Sequence, residues 1–367
     1  MIGPGVFDRL EAGGHEQVVW GADRATGLRA IVAVHSTVLG PALGGTRFRP
    51  YPDEEAALVD VLRLSRAMTY KAALAGLDLG GGKAVILGDP RHLRSEGLLR
   101  AYGRFIDSLG GRYVTAEDVG TDQADMDVLR RETRHVTGVS ELLGGSGDPS
   151  PATALGVVHA LHAVAEHQWG SPSLEGRAVV VLGVGKVGSA LVGHLVASGA
   201  KVSVADIDPN RVQAMVSRHG ATAVGVEEAL TLDADVLAPC ALGGILNATT
   251  IPRLGCRAVC GSANNPLAES ADARRLADRG ILYAPDYVVS AGGIINLAEE
   301  LVGYDQAAAT AKLAAIRTTT ANVLAAAAAS GVTTLEAADC LAESRLRAAA
   351  EATGGGAARG SPAGERG

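Results

Sequence analysis

Val179-Val180-Val181-Leu182-Gly183-Val184-Gly185-Lys186-Val187-Gly188 is an apolar, β-branched run that passes into Gly-x-Gly-x-x-Gly. A helical pattern follows to Ser198, Gly199 stops it, and a second strand-like run, Lys201 to Ala205, ends at Asp206. Strand, glycine turn, helix and a second strand closing on an acid are the setting in which this pattern binds a dinucleotide. In that reading Gly183 makes the tight turn and Gly185 lets backbone N–H groups approach a pyrophosphate at the helix start, beside Lys186 and Val187. Gly188 permits close helix–strand packing. Asp206 falls where a carboxylate binds the ribose 2′-OH and repels a 2′-phosphate, so NAD is the expected cofactor. The alternative, a glycine turn without a ligand, leaves the acid at 206 unexplained.

Working downstream, strand-like runs at 235–239, 257–260 and 281–284 alternate with helical stretches, the signature of a parallel sheet with crossover helices. Two of these runs lead into polar loops at the carboxyl edge, where open α/β sheets bind ligands: Gly261-Ser262-Ala263-Asn264-Asn265-Pro266 and Ser290-Ala291-Gly292-Gly293-Ile294-Ile295-Asn296. An Asn-Pro turn with no further role reads the same way. An alanine-rich helix is predicted over about 305–329. A second helix opens with the capping-box pattern Thr333-x-x-Glu336 and runs to about Ala352. The small, polar residues beyond are expected to be disordered.

Upstream, Ser150 is predicted to cap a helix with Pro151 at its first turn and Gly170 past its end. Before it, Gly144-Gly145-Ser146-Gly147-Asp148-Pro149 is a cluster of breakers and the predicted domain boundary. The first 140 residues read as a separate α/β unit. Strands are expected at 17–20, 28–34, 83–87 and 112–115, and helices from Asp53 to about Ser65 and over about 94–109. Gly40-Pro41-Ala42-Leu43-Gly44-Gly45-Thr46-Arg47 is expected to be a glycine-rich loop.

Within that unit, Lys71 and Lys83 bracket an apolar segment ending in three glycines, Gly80 to Gly82. Lysine is rare in such a segment unless paired or functional. Two ammonium groups could meet one small anion there. One would hold a carboxylate; the other, repelled by its neighbour and partly desolvated, would have a depressed pKa and serve as a base. Solvated lysines on a surface strand and turn fit the same spacing. Thr115-Ala116-Glu117-Asp118-Val119-Gly120-Thr121 follows a strand end; its carboxylates could move protons or bind an amine, or Asp118 could simply cap a turn. His159, His162, Glu166 and His167 share a helix, and with no further ligand cluster nearby they read as a polar face, with no metal site.

Composition bounds the rest. With 367 residues, 47% of them hydrophobic, the chain has core enough for two domains. A net charge of -7, no basic block and 3% aromatic residues argue against a nucleic acid partner. No apolar run approaches a membrane span. Cys240, Cys256, Cys260 and Cys340 form no Cys-x-x-Cys pair, and with no secretory pattern at the N-terminus they read as reduced thiols of a cytoplasmic protein.

Taken together, Gly-Pro-Ala-Leu-Gly-Gly-Thr-Arg at 40–47, Met-Thr-Tyr-Lys at 68–71, Leu-Gly-Gly-Gly-Lys at 79–83 and Thr-Ala-Glu-Asp-Val-Gly-Thr at 115–121 resemble the amino acid dehydrogenase family of glutamate, leucine, phenylalanine and valine dehydrogenases, the leucine and valine members above all. The likeness runs from about His15 through Glu351. It implies an N-terminal α/β substrate-binding and oligomerisation domain, 1–145, and a Rossmann-type doubly wound NAD-binding domain, 146–332. A C-terminal helix, 333–352, would pack back on the first domain, and 353–367 would be a tail. It implies reversible NAD-dependent oxidative deamination of branched-chain L-amino acids to 2-oxo acids and ammonium. Lys71 would bind the substrate carboxylate with Asn264 and the backbone at Gly44 and Gly45. Lys83 would be the base that activates water, and Asp118 would exchange protons with the amine. Leu43, Ala116, Ile294 and Leu297 would surround the side chain, and Thr153 and Asn264 would lie beside the nicotinamide. A homo-oligomer, dimer or octamer, is implied. The chain departs from many relatives at Ser290, where they carry Asn. A phenylalanine-preferring relative, a malic-enzyme-like dehydrogenase and a non-catalytic NAD sensor are the competing readings. The second needs a metal-binding carboxylate cluster that the sequence lacks, and the third has no need for Lys71, Lys83 and Asp118 together.

Overall fold

A computed structural model describes residues 5–241 and 243–354. Five strands form the first sheet: β1 (Gln17–Asp23), β2 (Leu28–Ser36), β3 (Ala42–Arg49), β4 (Gly80–Leu87) and β5 (Tyr113–Glu117). Their order is β1-β2-β4-β3-β5. The β1–β2 and β2–β4 pairs are antiparallel, and β4–β3 and β3–β5 are parallel. The β2 run is apolar at nearly every position because both faces are covered, and successive side chains alternate between them. Ile31 and Ala33, with Val85, pack on Ala57, Leu58, Val61 and Leu62 of the helix Glu54–Leu74. Ala30, Val32 and Val34, with Ala84 and Ile86, pack on Leu98, Leu99, Tyr102 and Ile106 of the helix Glu96–Asp107.

Two expectations are corrected here. The stretch 40–47 is a strand from Ala42 onward, lying between β4 and β5 in the sheet. Its glycines serve close approach and not a loop: a Cβ on Gly44 would lie 1.8 Å from the Gly82 carbonyl oxygen. The helix that starts after Asp53, whose side chain accepts the Ala56 N–H at 2.7 Å, continues past Ser65 to Leu74. Nothing in residues 66–74 breaks a helix, and burial of Thr69 and Tyr70 holds the last turns in place. This extension carries Lys71. A smaller difference lies at Ser150, which is the first helical residue of Ser150–Trp169 and makes no side-chain cap.

The second sheet comprises β6 (Ala178–Leu182), β7 (Lys201–Ala205), β8 (Thr222–Ala223), β9 (Ala234–Pro239), β10 (Cys256–Val259) and β11 (Leu282–Tyr283), in the order β11-β10-β9-β6-β7-β8. All its pairs are parallel. The order reverses beside β6, so the crevice at its carboxyl end is the switch point of a doubly wound sheet. The helix Gln306–Ser330 packs on Ser150–Trp169. The last helix, Thr334–Gly354, is capped as predicted: the Thr333 N–H donates to Glu336 at 2.7 Å and the Glu336 N–H to the Thr333 hydroxyl at 3.2 Å. It returns to the first sheet's layer, where Tyr70 donates to Glu343 at 3.0 Å and Arg345 to the Ala73 carbonyl at 2.6 Å. The disordered tail expected over 353–367 lies outside the described residues from 355 onward; 353 and 354 belong to this helix. Among the described residues no helix is long and apolar enough to cross a membrane.

Candidate active site

Lys83 lies on the β4 face that Val85 shares, the face covered by the helix Glu54–Leu74. That helix comes down on the glycine triplet so closely that a Cβ on Gly81 would sit 2.0 Å from the Thr69 amide nitrogen. The contact sets Lys71, two residues on, over the same end of the sheet as Lys83. Asp118 follows the last residue of β5, in the turn closed by the Thr121 N–H to the Asp118 carbonyl at 2.9 Å. These elements face the second sheet's loops across a cavity of about 460 Å³. Leu43, Gly44, Gly45, Lys71, Lys83, Ala116, Asp118, Thr153, Val187, Asn264, Ile294 and Leu297 all line it.

Lys83, 6% exposed, is ion-paired to Asp118 Oδ2. Arg47 Nε donates to the same oxygen at 3.2 Å, and the Val119 N–H donates to Oδ1 at 2.7 Å. Burial pushes the Asp118 carboxyl up, but Lys83, Arg47 and the Val119 amide outweigh it and hold the group well below the usual carboxylate range. Asp118 is therefore an anion at any physiological pH. Arg47 is itself anchored by Asp60 at 3.1 Å, which accepts from the Tyr51 hydroxyl at 2.8 Å. The depressed pKa expected of the base falls instead on Lys71, the lysine that the resemblance assigns to the substrate carboxylate, because Lys71 is desolvated with no carboxylate paired directly to it among the described residues. Desolvation pushes its ammonium down to about 8, against the pull of Asp286 and Asp118 and with the push of Lys83. Its Nζ donates to the Ser290 hydroxyl at 2.9 Å. The short serine side chain thus meets Lys71 across the cleft.

Opposite the charges, Leu43 from β3, Ala116 from β5, and Ile294 and Leu297 from the helix Gly292–Glu300 form a buried apolar wall. Leu64 and Met68 complete it. Thr153 stands one turn into the helix Ser150–Trp169, its hydroxyl donating to the Pro149 carbonyl at 3.0 Å.

Gly183, Gly185, Lys186, Gly188 and Asp206 lie apart from this cavity, at the carboxyl end of β6 and β7, and Val187 joins the two regions. The fingerprint residues fit a dinucleotide. Gly183 has φ 98°, and a Cβ on Gly188 would lie 2.0 Å from the Gly183 oxygen, so turn and helix can be this close only without side chains. Above Gly185 the space is open, the nearest atom to an added Cβ being Arg211 Nη1 at 3.9 Å. Asp206 accepts the Val184 N–H at 2.8 Å and the Asp208 N–H at 2.9 Å, which fixes its carboxylate beside the turn.

Sequence reasoning missed Arg47, Asp60 and Asp286 as parts of the site. For Arg47 a signal was present: a charged residue directly after Gly44-Gly45-Thr46, in what proved to be a strand buried on both faces. On the helix that carries the histidines at 159–167, His162 and Glu166 take structural partners. His162 Nδ1 lies 2.8 Å from the Pro172 oxygen, and Glu166 pairs with Arg317.

A glycine-rich fingerprint at a sheet switch point, facing paired lysines and a buried carboxylate across a cleft, defines a two-domain dehydrogenase. Residues 15–135 match the family described as Glu/Leu/Phe/Val dehydrogenase, dimerisation domain, and residues 144–211 and 206–354 match Glutamate/Leucine/Phenylalanine/Valine dehydrogenase. The chain is 56% identical over 339 residues to a valine dehydrogenase of Streptomyces virginiae, covering 92% of this chain and 95% of the relative. It is 49% identical over 341 residues to a leucine dehydrogenase of Bacillus cereus, covering 93% of each. Among solved structures, an L-tryptophan dehydrogenase from Nostoc punctiforme superposes with a TM-score of 0.82 at 43% identity, covering 94% of this chain and 99% of that one. The chain belongs to the glutamate/leucine/phenylalanine/valine dehydrogenase family, a family of oxidoreductases with a nicotinamide cofactor.

Proposed function

We propose that this protein catalyses the reversible, NAD-dependent oxidative deamination of valine, leucine and isoleucine to their 2-oxo acids and ammonium. The observation that carries this reading is the juxtaposition, in one cleft, of Lys71, Lys83 and Asp118 with a wall made only of apolar side chains. The valine and leucine dehydrogenases among its relatives support the same substrate class.

Lys71 holds the substrate carboxylate, assisted by Asn264 and the backbone at Gly44 and Gly45. Thr153 and Asn264 would flank a nicotinamide, which when bound would supply the acceptor for the hydride leaving the substrate Cα. Asp118, kept anionic by Lys83 and Arg47, takes and returns a proton at the substrate nitrogen. Lys83, acting as the neutral amine, withdraws a proton from the water that adds to the imino carbon and so becomes the ammonium that pairs with Asp118; collapse of the adduct expels ammonia and leaves the 2-oxo acid. The domains, divided at 145/146 with helix 333–352 joined to the first, close over the cleft and exclude water. We take the active species to be a cytoplasmic homo-oligomer, dimer or octamer, which sedimentation distinguishes; the four unpaired thiols suit a reducing compartment. The direct test is NADH formation with a panel of L-amino acids, with and without added metal. Turnover with valine, leucine or isoleucine and no metal requirement is the expected result.

Two further outcomes follow. Asp206 faces the position of a 2′-phosphate, so kcat/KM with NAD⁺ exceeds that with NADP⁺ by about a hundredfold or more, the cost of juxtaposed like charges. Asp206→Ala narrows the gap; comparable efficiencies in the wild type would show the acid has no such role. For pH, Lys71 binds carboxylate only as an ammonium. Its lowered pKa of about 8 means that binding is complete below that value and weakens as pH rises through it. KM for valine accordingly climbs on the alkaline side, read from initial rates against pH.

A further inference from the structure

Asp286 has no part in the steps above, yet it lines the cleft with Lys71. It opens the short helix Asp286–Val289, which packs on Glu54–Leu74. Both of its carboxylate oxygens are engaged: Oδ2 accepts the Asn265 N–H at 2.9 Å and Oδ1 the Tyr283 hydroxyl at 3.0 Å. Asn265 is the only non-glycine residue among those described with a left-handed backbone, φ 50°. Such a conformation persists where its surroundings over-determine it, and it clusters at ligand sites. Here the surroundings can be named. The Gly244 N–H holds the Asn265 carbonyl at 2.8 Å, and a side chain at Gly243 would strike the Asn264 and Asn265 carbonyls at 2.7 and 2.6 Å. Asp286 holds the amide on the other side of the turn that presents Asn264 to the cleft.

The same carboxylate bears on Lys71. The charged groups acting there are Asp286 and Asp118, which favour the ammonium, and Lys83, which opposes it. Arg47 and Asp60 are committed to the Asp118 network. From the C-terminal helix, Glu343 binds Tyr70, and Arg345 binds the Ala73 carbonyl and Asp78. Asp339 binds the Tyr287 hydroxyl.

We propose that Asp286 is a positioning residue that assembles the substrate-carboxylate site from the nucleotide-binding side: it sets the Asn264–Asn265 turn through the Asn265 N–H and supplies a countercharge to Lys71. The inference rests on the assignment of Lys71 and Asn264 to the substrate carboxylate.

Initial rates with L-valine and NAD⁺ from about pH 6 to 10 test it in Asp286→Asn, Asp286→Ala, Asn264→Ala and Lys71→Ala, with NADH dissociation constants alongside. In Asp286→Asn the amide oxygen still accepts from Asn265, so KM at neutral pH stays within about threefold of wild type. The charge is gone, so the alkaline rise in KM moves to lower pH by about half a unit or more. In Asp286→Ala the turn is released as well, and KM rises about tenfold or more at neutral pH with NADH binding retained. An Asp286→Asn profile superimposable on wild type overturns the proposal. So does an alanine variant whose KM stays within about twofold while Asn264→Ala raises it. If Asn264→Ala and Lys71→Ala both leave KM unchanged, the carboxylate assignment itself falls and takes the inference with it. Should Asp286→Ala fail to fold, the Asp286→Asn profile decides.

Discussion

Replacing Lys83 with alanine lowers kcat by about a hundredfold at least, and the NADH dissociation constant stays at its wild-type value. Positioned acid–base groups contribute about 10² to 10⁴ in rate, so the smaller figure is a floor for a residue that does the proton transfer itself. The geometry supplies the contrast. Lys83 sits on β4 with its Nζ on Asp118, while the pyrophosphate fingerprint belongs to the turn after β6. Removing the lysine leaves Asp118 buried with Arg47 at 3.2 Å and the Val119 amide at 2.7 Å, so the carboxylate keeps partners and the fold has reason to survive. NADH titration by fluorescence establishes that the variant is folded and cofactor-competent before its rate is read. Retention of more than about a hundredth of wild-type activity would remove Lys83 from the role of base and point to water activation by another group.

How much of this was legible in the sequence depends on the range of the forces involved. The second sheet was readable because its information is local: a β-branched run, a glycine turn, a helix and an acid recur within thirty residues, and each constrains the next. The strand at 42–49 was not. Glycine and proline at 40–45 weigh against a strand by propensity, and only the neighbouring backbones of Gly82 and Glu117, far away in sequence, require side chains to be absent there. The end of the helix at Leu74 was lost for a similar reason, since Thr69 and Tyr70 are held by tertiary burial and not by helical periodicity. Arg47 went unassigned because its partners, Asp60 and Asp118, lie 13 and 71 positions further on. Family likeness could place Lys71 and Lys83 in one site. It could not show that Lys71 would meet Ser290, 219 positions away, or that Asp286 would line the same cleft and favour its ammonium.

With wild-type protein, valine, leucine and isoleucine rank above phenylalanine, and glutamate is the poorest of the five substrates. Leu43, Ala116, Ile294 and Leu297 are all buried, and none offers a hydrogen-bond donor. The cations nearby are committed elsewhere: Lys83 and Arg47 to Asp118, and Lys71, in the proposed mechanism, to the substrate's own carboxylate. A second carboxylate entering this wall is therefore desolvated without a partner. That costs several kcal/mol even after relaxation, which suppresses glutamate by roughly a thousandfold or more in kcat/KM. The resemblance gives the same answer from the other side, since glutamate-using relatives carry a lysine where this chain has Leu43. Phenylalanine is excluded by volume, a weaker device, because apolar pockets separate neighbours by only about 1–3 kcal/mol. Ile294→Ala should therefore raise the ratio of phenylalanine to valine activity by tenfold or so, at the top of that range if the ring fills the vacated space. The same truncation removes buried contacts at the foot of the helix Gly292–Glu300 and should lower the melting temperature, the usual consequence of a core cavity. Catalytic efficiencies on the five amino acids for both proteins decide the matter. Glutamate or phenylalanine ranking first in the wild type would overturn the assignment of the apolar wall and leave the deamination chemistry of Lys83 and Asp118 to stand on its own test.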